Sequence, residues 1–158
     1  MLAYFFLFTI SSIAALKPSN LNFNRLPVQF FWSIYIFVLI LFVGLRFDTG
    51  GDWGIYRNYF EANADKFEPL KMTSDLGYQI LIWVANKLGL GFDFVTLILA
   101  AVLILGIATF ASKQDNRWLA ICIAFPFLIT VVGMGYFRQG TAFGFILLAI
   151  VSLIHDKK

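Results

Sequence analysis

The 158-residue chain is 60% hydrophobic and 18% aromatic but only 13% charged, with a mean hydropathy of +0.81. Soluble domains hold about 45–50% apolar and about 25% charged residues, so this composition excludes an ordinary soluble domain. A net charge of +3 is too small to argue for nucleic acid, and the basic residues are scattered near helix ends, where they set membrane orientation.

Several apolar runs approach the ~20 residues needed to cross ~30 Å of hydrocarbon. They are continuous rather than alternating, so the expected spanning element is a helix that closes its own backbone hydrogen bonds, not a barrel strand. The fold class is therefore all-α: a polytopic transmembrane helical protein forming a single transmembrane domain over residues 1–158, with about five spans plus an amphipathic or re-entrant helical loop. The single Cys122 lies in an apolar run, which leaves no disulfide and no cysteine metal site to propose. The single His155 stands near the C-terminus among charged neighbours, away from any constellation a histidine-based catalyst needs.

Leu2–Leu16 is predicted as the first, short span. No basic residue precedes it, unlike a cleaved signal, and Lys17-Pro18-Ser19-Asn20 ends it. Lys17 and Arg25, with no acid between them, put the following loop in the cytoplasm. Val28–Leu45 is the second span and delivers the chain outward to Arg46. Residues 46–91 then form an external loop. Between Gly44 and Tyr78 the sequence gathers four basic and six acidic side chains. Thr49-Gly50-Gly51 reads as a flexible turn and Asp52 as a helix N-cap. Trp53–Ala64 reads as a short helix with Trp53, Tyr56, Tyr59 and Phe60 on one side, suited to the membrane interface. Ser74 or Asp75 caps a second, Leu76–Leu88, whose apolar positions 76, 80, 81, 84 and 88 follow a helical period.

Whether Leu76–Leu88 crosses decides the topology. A crossing would leave Lys113 and Arg117 outside, against the positive-inside rule. An interfacial or re-entrant segment places both inside after the span Phe92–Ala111, and is the preferred reading. Trp118–Val132 returns outward, with Pro126 freeing a backbone carbonyl. Gly133-Met134-Gly135 is expected to break the helix, Tyr136–Gln139 to lie at the outer surface, and Thr141–Ile154 to lead back to the terminal lysines. Glycines 133, 135, 140 and 144 read as close helix packing.

Arg46 reads either as a snorkelling interfacial anchor or as a fork for phosphate or pyrophosphate. Asp52 reads either as the N-cap or as a general base or orienting carboxylate. Asp48 and Asp75 are further candidates, since a carboxylate near lipid has its pKa raised toward the working range. The carboxylates lack the ligand spacing of a cation loop, so neither metal nor cofactor is expected. Arg138 interrupts an apolar stretch, and an ionisable residue within a membrane domain is a functional signal by default. Two arginines on one face, with carboxylates between them, point to an anionic lipid head group and a nucleophile to be activated.

The order Gly44-x-Arg46, Gly51-Asp52-Trp53-x-x-Tyr56, Asp75-x-Gly77-Tyr78 and Arg138-Gln139-x-x-Ala142 resembles the EpsG family of polysaccharide polymerases, relatives of the Wzy-type O-antigen and capsule polymerases. Asp75 stands where that family usually has Glu, and Trp53 where Tyr is frequent. The resemblance implies a multi-pass protein of the bacterial inner membrane that polymerises polyprenyl-pyrophosphate-linked oligosaccharide repeats. It also implies a chain about twice as long, so the sequence is read as the N-terminal portion of that architecture. In this scheme Arg46 and Arg138 hold pyrophosphate, and Asp52, Asp48 or Asp75 acts as base or orients the acceptor. Trp53, Tyr56 and Tyr78 stack on sugar or pack the loop, and Gln139 belongs to the substrate-binding motif of Arg138. The expected partners are the lipid-linked oligosaccharide, membrane lipids, and a chain-length regulator or other polysaccharide-assembly proteins. The alternatives are half of a membrane transporter or flippase, and a non-catalytic membrane partner.

Overall fold

The computed structural model describes residues 2–16, 25–62 and 76–155, and among these it contains helices and turns but no strand. In chain order the helices are α1 (Leu2–Ala15), α2 (Arg25–Gly44), α3 (Trp53–Ala62), α4 (Leu76–Lys87), α5 (Phe92–Ala111), α6 (Arg117–Ala124), a π-helical stretch (Phe125–Val132), α7 (Gly133–Gly135) and α8 (Phe137–His155). The expected turn at residues 17–20, the caps at Ser74 or Asp75, and the terminal lysines lie outside the described residues. The expected starts and ends hold to within a few residues. The second span starts three residues earlier than expected because Pro27 falls in the first turn of α2, where its missing N–H leaves no hydrogen bond unmade.

Phe92–Ala111, Arg117–Gly135 and Phe137–Ile154 are long and apolar enough to cross a membrane, and Leu2–Ala15 and Val28–Gly44 are shorter apolar helices. Helix α5 is the centre of the bundle, packed against α8 on one side and α2 on the other, while α1 packs on α6. Two glycines allow the α5–α8 crossing. A Cβ on Gly144 would stand 2.6 Å from the Val102 carbonyl oxygen and 2.8 Å from the Leu103 Cα, and one on Gly106 would meet Gly144 at 2.5 Å. The backbones touch because neither residue has a side chain, the usual way to gain van der Waals contact between helices in lipid.

The hydrogen bonds between helix ends fix the topology. At one end, Thr96 near the start of α5 donates to the carbonyl of Gly44, the last residue of α2 (2.6 Å). At the other, Asn116 donates to the Ala15 carbonyl at the end of α1 (2.9 Å) and caps α6 by accepting from the Leu119 N–H (3.1 Å). Arg117, beside it, reaches the Val28 carbonyl near the start of α2 (3.3 Å). Lys113 and Arg117 thus share an end with the start of α2, and the charged loop lies at the opposite end. This arrangement requires that α4 not cross. Its 12 residues span only ~18 Å. It buries Tyr78, Ile82 and Ala85 in a second core with Trp53, Tyr56 and Phe60 of α3 and Phe92, Val95 and Phe137 at the heads of α5 and α8. A Schellman turn ends it: Leu90 N–H bonds the Ala85 carbonyl and Gly89 N–H the Asn86 carbonyl, with Gly89 at φ +66°.

The structure corrects the reading of the fourth long helix. Gly133–Gly135 does not break it. The helix runs on through α7 and stops at Tyr136, whose φ −132° and ψ 80° are non-helical. Phe137–Gln139, expected at the surface between spans, form the first turn of α8. Pro126 does change the register: the π-helical stretch begins at its neighbour Phe125, and Thr130 donates to the carbonyls of both Phe125 and Pro126. The Thr130 hydroxyl thus bonds back into its own preceding turn, while the carbonyl that Pro126 leaves without an N–H lies one turn earlier, at Cys122.

Candidate functional site

The site is built where the loop after α2 meets the heads of α5 and α8. Leaving α2 at Gly44, the chain places Arg46 in the interior, only 6% exposed. Its Nη1 donates to the Gly133 carbonyl of α7, and its guanidinium carbon lies 3.7 Å from the centroid of the Phe137 ring. Among the described residues the buried Nε and Nη2 nitrogens have no hydrogen-bond partner, and no carboxylate pairs with this cation. Burial pulls the guanidinium down to about 10, which still leaves it protonated at neutral pH. Of the two readings open for Arg46, a snorkelling anchor requires a guanidinium in contact with water or head groups. The geometry shows the opposite, a buried cation stacked on an aromatic ring.

Beyond Arg46 the loop is pinned rather than flexible at Gly50. That residue sits at φ +92°, and a Cβ added there would run into the Met134 carbonyl oxygen and the Gly135 α-carbon, while one on Gly51 would meet none of the described residues within 4 Å. Asp48 takes a left-handed conformation (φ 44°), which a short polar side chain tolerates. Asp52 occupies the N-cap position of α3, its carbonyl accepting from Tyr56 N–H (3.0 Å). Asp48 is exposed and Asp52 half-buried. Neither carboxylate makes a hydrogen bond or ion pair among the described residues. Asp75 lies outside the described residues.

Trp53, Tyr56 and Tyr78 are all buried, and they pack the loop. Trp53 sits against Phe47 at 5.1 Å and Phe92 at 5.9 Å, with the Arg57 guanidinium over its ring. Tyr56 meets Tyr78 at 5.3 Å and Phe137 at 5.5 Å, both edge-on. Arg138, exposed in the first turn of α8 next to exposed Gln139, donates its Nε to the Tyr56 hydroxyl at 2.7 Å. Burial and the neighbouring Tyr56 push the Tyr78 hydroxyl up, so it stays a neutral donor.

The structure therefore brings Arg46, Trp53, Tyr56, Tyr78 and Arg138 to one end of the bundle around Phe137, with Asp52 at the rim. Phe137 and the Gly133 carbonyl were not singled out by the sequence. Phe137 has a weak signal, as the neighbour of Arg138, and a backbone carbonyl has none. The unpartnered buried side-chain atoms among the described residues are Nε and Nη2 of Arg46, Nε1 of Trp53 and Nδ2 of Asn86, every one of them an N–H donor. The two on Arg46 belong to a cation and are chemically complementary to an acceptor-rich, anionic group.

These features define a helical membrane protein in which Arg46 and Arg138 meet a cluster of buried aromatic rings at one end of the bundle. Residues 29–158 match the EpsG family, and the chain belongs to that family. Membership supports a polysaccharide-polymerase-like role in general. No curated protein and no solved structure matches the chain.

Proposed function

We propose that the chain takes part in polymerising polyprenyl-pyrophosphate-linked oligosaccharide repeats at the outer face of a bacterial inner membrane, in exopolysaccharide, capsule or O-antigen synthesis. The observation that carries this reading is Arg46: a buried cation with two unmet donors, held by a ring and a carbonyl rather than by a carboxylate. Burying an uncompensated charge is costly, and a pyrophosphate would supply both the charge and the acceptors it lacks. Family membership supports the same chemistry at the level of class. A transport path places its charges at the bilayer midplane between repeats, whereas Arg46 follows the end of α2 and Arg138 lies in the first turn of α8.

In this reaction an acceptor sugar hydroxyl bonds to the anomeric carbon of the donor glycan as the bond from that carbon to the pyrophosphate oxygen breaks. The bonding pair leaves on polyprenyl pyrophosphate, and the acceptor proton goes to a carboxylate. The leaving group is already activated, so the protein's contribution is positioning, charge stabilisation and proton removal. Arg46 and Arg138 receive the charge, Asp52 takes the proton or orients the hydroxyl, and Asp48 and Asp75 remain candidates for that role.

The test is the glycan ladder in cells carrying Arg46→Ala or Asp52→Ala at the native locus. The expected result is collapse to single repeats, because loss of one positioned donor to developing charge costs ~10²–10³-fold in rate. A full ladder in Arg46→Ala cells with normal protein levels sinks the reading.

A further inference from the structure

Arg46 is held at two points, and neither uses the guanidinium edge formed by Nε and Nη2. Nη1 donates to the Gly133 carbonyl, and the guanidinium carbon rests on the Phe137 ring, 3.7 Å from its centroid. Among the described residues Nε and Nη2 are buried and without a partner. Their N–H bonds run parallel along one edge, the geometry with which arginine grips two oxygens of a single phosphoryl group. A break between helices makes the two-point hold possible. Gly133 lies in α7 and Phe137 starts α8, with Tyr136 between them at φ −132° and ψ 80°. Carbonyl and ring thereby reach the same guanidinium from an edge and from a face. The Phe137 ring is itself fixed: it is buried, with Tyr56 edge-on at 5.5 Å and Phe92 edge-on at 6.2 Å.

We infer that Phe137 is a positioning residue, whose ring face sets the plane of the Arg46 guanidinium and reserves its Nε–Nη2 edge for one phosphoryl group of the lipid-linked substrate. The inference rests on the polymerase reading above and adds the device that orients Arg46. The chemistry of the contact accounts for the choice of residue. A carboxylate in the place of Phe137 would take up the N–H donors that the substrate needs and cancel the charge. An aromatic ring attracts the cation through its π-face instead, so the donors lying in the guanidinium plane stay unused. Leucine would fill much of the same space but offers no such face. Arg46 beside leucine would keep its charge and its Gly133 hydrogen bond, with its plane free to turn about that single bond. Arginine recognises phosphate through a planar fork, so orientation matters as well as charge.

The experiment compares Phe137→Leu and Arg46→Ala with a series in which Phe137 is replaced, by nonsense suppression, with mono-, di- and trifluorophenylalanine. Fluorine draws electron density from the ring face and weakens its hold on a cation, while the ring keeps nearly the same shape. Each variant is made in the full chain and read as the rate of lipid-linked repeat consumption in isolated membranes, per amount of protein present. Phe137→Leu is expected to slow consumption about 10–100-fold, the scale of a small misplacement of a reacting group. The rate should fall stepwise with each added fluorine, a trend that a merely space-filling ring would not produce. Wild-type rate in Phe137→Leu beside a defective Arg46→Ala overturns the positioning role and leaves the polymerase reading standing. Equal rates across the fluorinated series do the same, since the volume of Phe137 would then account for its place. Wild-type rate in Arg46→Ala overturns the polymerase reading and the inference with it. If Phe137→Leu fails to accumulate, the fluorinated series decides.

Discussion

At the scale of the residue, Arg46 is the point where stability and the proposed function part company. Among the described residues its guanidinium makes one hydrogen bond, to Gly133, and one cation–π contact, to Phe137, against the cost of a desolvated charge and two unmet donors. A charge-assisted hydrogen bond contributes about 1.5–3 kcal/mol and a desolvated cation–π contact about 2 kcal/mol. Burying an unneutralised ion costs several kcal/mol, so the balance favours an apolar side chain of similar length. Arg46→Met is accordingly expected to raise the unfolding temperature of the detergent-solubilised protein while eliminating polymer. A large fall in that temperature would show that Arg46 holds the fold together. The sequence pointed to Arg46 because a charge at the edge of a long apolar run is conspicuous. Its surroundings were not legible, because the Gly133 carbonyl lies 87 residues further along the chain. The same holds for Arg138 and Tyr56, 82 residues apart. Single-sequence patterning names such residues without pairing them.

At the scale of the element, two glycines decide whether the bundle closes. The α5–α8 crossing leaves no room for a side chain at Gly144, whose Cβ would meet backbone at 2.6 and 2.8 Å. Backbone atoms cannot step aside as a flexible side chain can, so Gly144→Ala should cost at least the ~1–3 kcal/mol typical of overpacking, measured as a lowered unfolding temperature, and Gly144→Leu should prevent accumulation. Gly50 offers a second case at the loop. Alanine there faces both a left-handed backbone (φ +92°) and the Met134 carbonyl, a strain of about 1–3 kcal/mol before the clash is counted. Gly51, with nothing near it, should tolerate the same change, and equal effects at the two positions would contradict the described packing. A pair of adjacent glycines in sequence reads as one flexible turn, and only the approach of α7 makes them different. Helix periods and apolar runs gave the bounds of α5 correctly because every signal there agrees. The stop after α7 was misplaced for a physical reason. Glycine costs a helix interior only ~1 kcal/mol, whereas an unmade backbone bond in an apolar setting costs more, and Gly133 packs against Leu103 and Val43. The helix therefore runs through its glycines and ends where the chain must turn into α8.

At the scale of the whole molecule, the two ends of the bundle differ in kind, and the difference is testable. One end carries Lys113 and Arg117 beside the start of α2; the other carries Arg46, Arg138 and the α3–α4 cap around a shared aromatic core. The positive-inside rule places the first end in the cytoplasm and the site outside. This separation depends on α4 turning back, since a crossing α4 would move Lys113 to the side of the site. Single cysteines in a Cys122→Ala background, labelled in intact cells by a membrane-impermeant thiol reagent, resolve it. Among the described residues Gly51 and Gly77 have no neighbour within 4 Å of an added Cβ, and Lys87 is exposed at the end of α4, so cysteine at these three positions leaves the described packing undisturbed. Cysteine at 51, 77 and 87 is expected to label from outside, and cysteine at 113 only after the membrane is breached. Labelling of 87 and 113 with opposite accessibility, with 77 and 87 alike, is the signature of an interfacial α4. If 77 and 87 label from opposite sides, α4 crosses, and Arg46 and Arg138 can no longer share one substrate site.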